Sequence, residues 1–260
     1  PADVSKRAFV VGEHTKSILN EWLDYDDSTI IDLEEKGILK ERTESLHRLL
    51  DAPNRAKDNP SLIEKIINNF PVLTPCIYRA LFRIAGIKVG RNVKFLGKVH
   101  VKLRGKPKNI IIGDNVVLGK NVDLRNRENG KIILHESVYL DDNVRIVAAR
   151  EGKVEIDVGT ELGFGTVINA GGDTTIGKFC MIAGNVQIHA QTHETFKAKY
   201  IKEQSYEYGK VTIGSDVWIG AFSSVLVNTA IGEGVVIGAN SLAKGEIPAF
   251  AVCVGSPAKV

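Results

Sequence analysis

Across residues 211–240, "VTIGSDVWIGAFSSVLVNTAIGEGVVIGAN", a branched apolar residue returns at every sixth position: Ile213, Ile219, Val225, Ile231 and Ile237. A helix repeats its apolar face near 3.6 residues and a half-buried strand every two. A step of six therefore keeps strand alternation and adds one corner to each unit. Three units make a coil of eighteen residues. Stacked coils let each backbone hydrogen-bond to its neighbours while the sixth-position side chains fill a narrow core. The pattern predicts a mainly β chain wound as a parallel β-helix solenoid.

The step extends in both directions. Val158, Phe164, Ala170, Ile176, Ile182 and Ile188 hold it, and Leu134, Leu140 and Ile146 lie in the same frame with one apolar position missed at Gly152. Ile112, Leu118 and Leu124 form a separate earlier run, Val89, Phe95 and Val101 another, and Ala243, Ala249 and Gly255 carry the step to the end. Material out of frame is expected to bulge as loops at 103–110, 125–132 and 194–211, the last directly after "HAQTH".

Residues 1–85 lack the repeat. "KSILNEWLDY" puts Ile18, Leu19, Trp22 and Leu23 on one helical face, "ILKERTESLHRLL" does the same with Leu39, Arg42, Leu46, Leu49 and Leu50, and Ser61 and Glu64 are spaced as a capping box. The expected division is an N-terminal α-helical region, 1–85, and a hexapeptide-repeat domain, 86–260. A length of 260 residues with 43% apolar content allows this, and 25 glycines with 7% aromatics suit tight corners and a slim core.

Charge follows the same boundary: net −2 over 1–85 and +5 over the rest. The stretch "GIKVGRNVKFLGKVHVKLRGKPKNIIIG" holds eight Lys or Arg and no acid. One reading is a solvated row of cations on edge strands. The other is peripheral contact with an anionic membrane surface through 71–108, because the preceding "FPVLTPCIYRALFRIAGI" is apolar and basic. Arg79 and Arg83 interrupt that segment, so it is not expected to span. Nothing resembles a signal peptide. Cys76, Cys180 and Cys253 have no paired spacing, which favours a reducing compartment over a disulfide frame or zinc site. A cytoplasmic protein with no nucleic-acid partner is expected.

The Ile-Gly hexads, the "THE" before the out-of-frame loop, "EYGKVTIGSDVWIG" and the ending "GANSLAKGEIPAFAVCVGSPAKV" together resemble the hexapeptide-repeat acyltransferases, in particular the maltose, galactoside and polysaccharide O-acetyltransferases. The resemblance covers 86–260. It implies a left-handed winding, a homotrimer, acetyl-CoA bound in clefts between neighbouring prisms, and a carbohydrate acceptor. It also implies that Ala221 and Ala239 are small positions lining the pantetheine arm. Two details depart from the family: Glu194 follows His193 where Pro is usual, and Lys244 is shifted by one in "AKGEIP".

Read for chemistry alone, His189 sits beside the in-frame Ile188, and His193 lies where the chain leaves the prism for the long loop. A polar corner residue without a role is one reading of His193. The other, favoured by the resemblance, is a general base, since imidazole in water titrates near pH 6.5 and can take a proton from an attacking hydroxyl. With no Ser or Cys in a nucleophile's setting, direct transfer is expected. A backbone amide near Gly220 or Ala221 is the expected oxyanion donor, because glycine admits a ligand close to the main chain. Trp218 is expected to face outward, as interface packing or as a wall of the cofactor cleft. Lys244 and Lys259 either meet CoA phosphates or are solvated terminal lysines.

Three rivals follow. A gamma-class carbonic anhydrase-like site needs three histidines around a metal; His189 and His193 make a pair, but His135, three coils of eighteen residues away, stands about 14 Å off at about 4.8 Å per coil. A noncatalytic scaffold leaves the "THE" corner unexplained. N-acetylation of an amino-sugar nucleotide uses the same fold.

Overall fold

The structure, a computed structural model, describes residues 75–196 and 200–259. The helices expected from Ile18, Leu39 and Ser61 lie outside the described residues. The described residues fall within one compact unit. Its strands fall into three parallel sheets of eight, eight and seven strands, and on each face every strand pairs with the next one to return to that face. The molecule is a three-faced parallel β-solenoid. The first face begins at Lys88–Val89, the second at Lys94–Phe95 and the third at Val99–Gly105. The hexad therefore reads as one face and one corner, as the apolar spacing predicts.

Register confirms the frame where corners have constant length. Ile182 aligns with Ile219 and Ile237, and Ile188 with Val225 and Ala243, all buried. The earlier runs hold as well, with Val89, Ile112 and Leu134 aligned, and likewise Phe95, Leu118 and Leu140, and Val101, Leu124 and Ile146. In the coil after Ile146 the frame is wrong. Leu134 aligns with Ile156 and Ile176, and Ile146 with Ile168 and Ile188, so Ile156, Leu162 and Ile168 fill the core. Val158 sits at a corner and Phe164 is 51% exposed. The third corner before them is lengthened by a turn closed by the Gly152 N–H on the Ala149 carbonyl at 2.9 Å, which shifts the phase. Near the end the corner at Gly245, with φ +73°, is short, so Ile247 and Cys253 point inward while Ala249 and Gly255 are exposed.

Two expected loops also differ. Residues 103–105 and 125–128 continue the third-face strands Val99–Gly105 and Val122–Glu128, which pair over seven positions; only the corners beyond them leave the sheet. Coil-to-coil hydrogen bonds at polar inward positions complete the stack: Thr160 Oγ1 donates to the Gly177 carbonyl at 2.6 Å and accepts the Cys180 N–H at 3.0 Å.

Helix α1 (Pro75–Ile84) closes the first coil. Tyr78 and Phe82 are fully buried; Tyr78 stacks on Phe95 at 5.0 Å, and Phe82 meets the same ring edge-on at 5.4 Å. A solenoid end left open would expose its core column, and this helix covers it. The apolar side chains of "YRALF" thus face the protein, which favours the reading of the neighbouring lysines as a solvated row. No helix among the described residues is long and apolar enough to cross a membrane.

The corrected register has a measurable consequence. Ile156→Ala is expected to lower unfolding stability by about 2 to 5 kcal/mol, the usual effect of emptying a close-packed core site. Val158→Ala is expected to change it by less than about 1 kcal/mol. Urea denaturation of the two variants checks this.

Candidate active site

The third-face strand Gln187–His189 ends at the corner toward the first face, and there the chain leaves the prism. Gln191–His193 turns outward and pairs antiparallel with Tyr206–Tyr208, placing His193 opposite Tyr206. The ladder continues through the Glu194 N–H to the Ser205 carbonyl at 3.0 Å. At the far end the Gln204 amide brackets the Phe196 backbone, accepting its N–H at 2.6 Å and donating to its carbonyl at 3.0 Å. The expected excursion at 194–211 is thus a braced hairpin. His193 is exposed on it, with its ring centroid 4.0 Å from that of Tyr206. His189 remains half-buried in the sheet beside Asn169, and burial pushes its imidazole below the ordinary histidine value.

The residues expected at the donor site gather at the opposite edge of the third face. Gly220 and Ala221 follow the second-face strand Trp218–Ile219, and Ala239 occupies the matching corner of the next coil, so near that a Cβ on Gly220 would meet the Ala239 nitrogen at 2.5 Å. Lys259 joins this column: its backbone pairs with Val254 at 3.1 Å, and the Val254 side chain packs over Gly238. Trp218 points outward, 53% exposed, as predicted. Lys244 does not join them; it is exposed on the His193 edge, two coils further along. The two amide candidates also separate. The Gly220 N–H donates to the Ile237 carbonyl at 2.7 Å, whereas the Ala221 N–H has no protein acceptor among the described residues.

Sequence reasoning missed a larger feature around Trp218. The outward column of the second face reads Met181, Trp218, Val236 and Val252 in register, with Met181 60% and Val252 61% exposed. Exposed rings flank it: Phe179 and Phe250 at one corner, Phe164 and Phe222 at the other. The signal was present, since each residue of the column immediately precedes an inward hexad position and is apolar where solvated faces carry polar groups. A continuous apolar stripe of this kind marks a contact surface.

The histidines do not converge. His135 lies past the first-face strand Lys131–Leu134, with Nε2 at 2.9 Å from Glu155 Oε1, two coils rather than three from His189 and at a different corner. Lys153 and His135 together hold the Glu155 carboxyl below its ordinary range. Among the described residues no three His, Cys, Asp or Glu side chains are grouped to hold a metal.

The class of protein that this three-faced hexad solenoid belongs to follows from comparison with known proteins. Residues 210–245 match the family described as bacterial transferase hexapeptide (six repeats). The chain is 34% identical over 177 residues to a protein of Mycobacterium tuberculosis assigned as an acetyltransferase, covering 67% of this chain and 56% of that one. It is 30% identical to WbbJ of Escherichia coli, assigned to lipopolysaccharide biosynthesis O-acetyl transfer, covering 58% of this chain and 70% of that protein. It is 31% identical to an Escherichia coli dTDP-4-amino-4,6-dideoxy-D-glucose acyltransferase, covering 57% and 79%. The crystal structure of the polysialic acid O-acetyltransferase OatWY superposes with a TM-score of 0.51 at 21% identity, covering 66% of this chain and 82% of that chain, a likeness of fold. The chain belongs to the hexapeptide-repeat transferases. It spans only a little over half the length of the mycobacterial relative.

Proposed function

We propose that this protein is an acetyl-CoA-dependent acetyltransferase that acts on a carbohydrate hydroxyl, with 86–260 as its catalytic domain and the N-terminal region as an accessory. The observation that carries the reading is His193, held in the open on a hairpin braced at both ends, in a chain of this family. The sugar-directed activities assigned to its Escherichia coli relatives support the acceptor class.

In this reading His193 takes the proton of the acceptor hydroxyl as that oxygen attacks the thioester carbonyl. The new C–O bond forms as the C–S bond breaks, and the imidazolium returns the proton to the departing thiolate. The Ala221 N–H is the donor for the negative charge that builds on the carbonyl oxygen. Trp218, Gly220, Ala221 and Ala239 give the donor an apolar, unobstructed wall, and Lys259 and Lys244 supply positive charge for its phosphates. These groups lie at one edge of the third face except for Lys244, which lies with His193 at the other. A homotrimer fits this placement: a cleft between two prisms can set the His193 edge of one protomer against the Trp218 side of its neighbour, and the apolar stripe supplies the contact surface.

A second reading, N-acetylation of an amino-sugar nucleotide, draws on the likeness to the aminosugar acyltransferase. Thiol release from acetyl-CoA across paired hydroxyl and amino sugars distinguishes the two. The O-transfer reading expects release with hydroxyl acceptors that carry no free amine. Release confined to amino sugars, or absent with every acceptor, overturns it.

A further inference from the structure

Next to His193 the surface continues as a row of rings that ends in a cation. Tyr206 and Tyr208 point to the same side of their strand, as residues two apart must, with ring centroids 6.1 Å apart. Tyr208 carries the Arg150 guanidinium 4.3 Å above its centroid. Three successive coils build this row. Arg150 stands at the third corner of one coil, in the left-handed region at φ +56°, with its backbone N–H fixed by Glu128 Oε2 at 2.7 Å. Gly171 stands at the corner of the next coil, where a Cβ would meet the Tyr208 ring at 2.4 Å, so only glycine lets that ring lie down against the prism. The hairpin of the third coil brings both tyrosines and His193.

The guanidinium sits over the Tyr208 ring, and its side-chain N–H groups donate to no acceptor among the described residues. No carboxylate among the described residues forms an ion pair with it. Glu151, its neighbour, accepts instead from the Asn129 amide at 2.6 Å. The steps of 4.3, 6.1 and 4.0 Å from guanidinium to His193 form one unbroken row. Tyr206, 43% exposed, can pack against the C–H face of a pyranose, and a guanidinium takes an anion in a two-pronged grip.

We propose that Tyr206, Tyr208 and Arg150 form the acceptor subsite, and that the acceptor is a sugar bearing an anionic group, a carboxylate or a phosphate, held by Arg150 while a hydroxyl reaches His193. This rests on the acetyltransferase reading for its role but is testable without turnover. Saturation-transfer NMR is recorded on the full chain with glucose, sodium glucuronate and glucose 1-phosphate as probes, for the wild type and Arg150→Gln. The expected result is stronger saturation of an anionic probe than of glucose, reduced at least tenfold in affinity by Arg150→Gln and partly restored by Arg150→Lys. The stronger of the two anions identifies the group. Equal binding of all three sugars by the wild type, or unchanged anion binding in Arg150→Gln, overturns the subsite. Intact anion binding with no thiol release from acetyl-CoA overturns the enzyme reading and leaves the subsite standing.

Discussion

His193→Asn lowers turnover by two or more orders of magnitude and leaves acetyl-CoA affinity nearly unchanged. Asparagine keeps a polar side chain of similar size at an exposed hairpin position, so the fold is expected to tolerate it with a change within about 0.5 kcal/mol. What it removes is the imidazole assigned to take the acceptor's proton. General bases contribute roughly 10²- to 10⁴-fold, which sets the scale of the loss. Donor affinity is assigned to Trp218, the small residues and the lysines, none of which the substitution touches. His189→Asn is the control: that ring is half-buried in the third sheet, and burial disfavours its charged form. Steady-state kinetics with varied acetyl-CoA separate the two effects, and equal losses in the two variants reject the general-base assignment.

The second large effect is on assembly. Met181→Asp places a charge at the first position of the apolar stripe, beside Trp218, on a side chain that is 60% exposed in the single chain. In an isolated prism the carboxylate is hydrated and harmless. In a trimer packed through that face it is buried without a partner, a change that typically costs several kcal/mol. Light scattering is expected to give about three times 28.4 kDa for the wild type and one times for the variant, with the β-rich circular dichroism spectrum retained and activity lost. A variant that remains trimeric shows that the subunits meet elsewhere, and a fully active monomer removes the intersubunit cleft.

The solenoid was legible because its signal repeats: Ile213, Ile219, Val225, Ile231 and Ile237 occupy a stretch where every corner takes the same number of residues. The frame failed at Val158, Phe164, Ala249 and Gly255 because a period of six assumes equal corners, and the turn at Ala149–Gly152 and the tight corner at Gly245 are unequal. His193 and Trp218 could be placed by position relative to inward residues, since strand alternation fixes which side faces out. The Gly220 amide could not, because its acceptor, the Ile237 carbonyl, belongs to the next coil. Arg150 and Tyr208 were hidden for a similar reason: 58 residues separate them in the numbering, and the hairpin register and the bare corner at Gly171 bring them together.

The most direct measurement follows the acetyl carbon itself. Acetyl-CoA labelled with ¹³C at the carbonyl is incubated with the protein and a carbohydrate acceptor, and the product is examined by NMR. The account predicts a labelled acetyl ester on a sugar hydroxyl, formed at least a hundredfold more slowly by His193→Asn. Label found only as an amide on an amino sugar, or an ester formed equally fast by the variant, would contradict it.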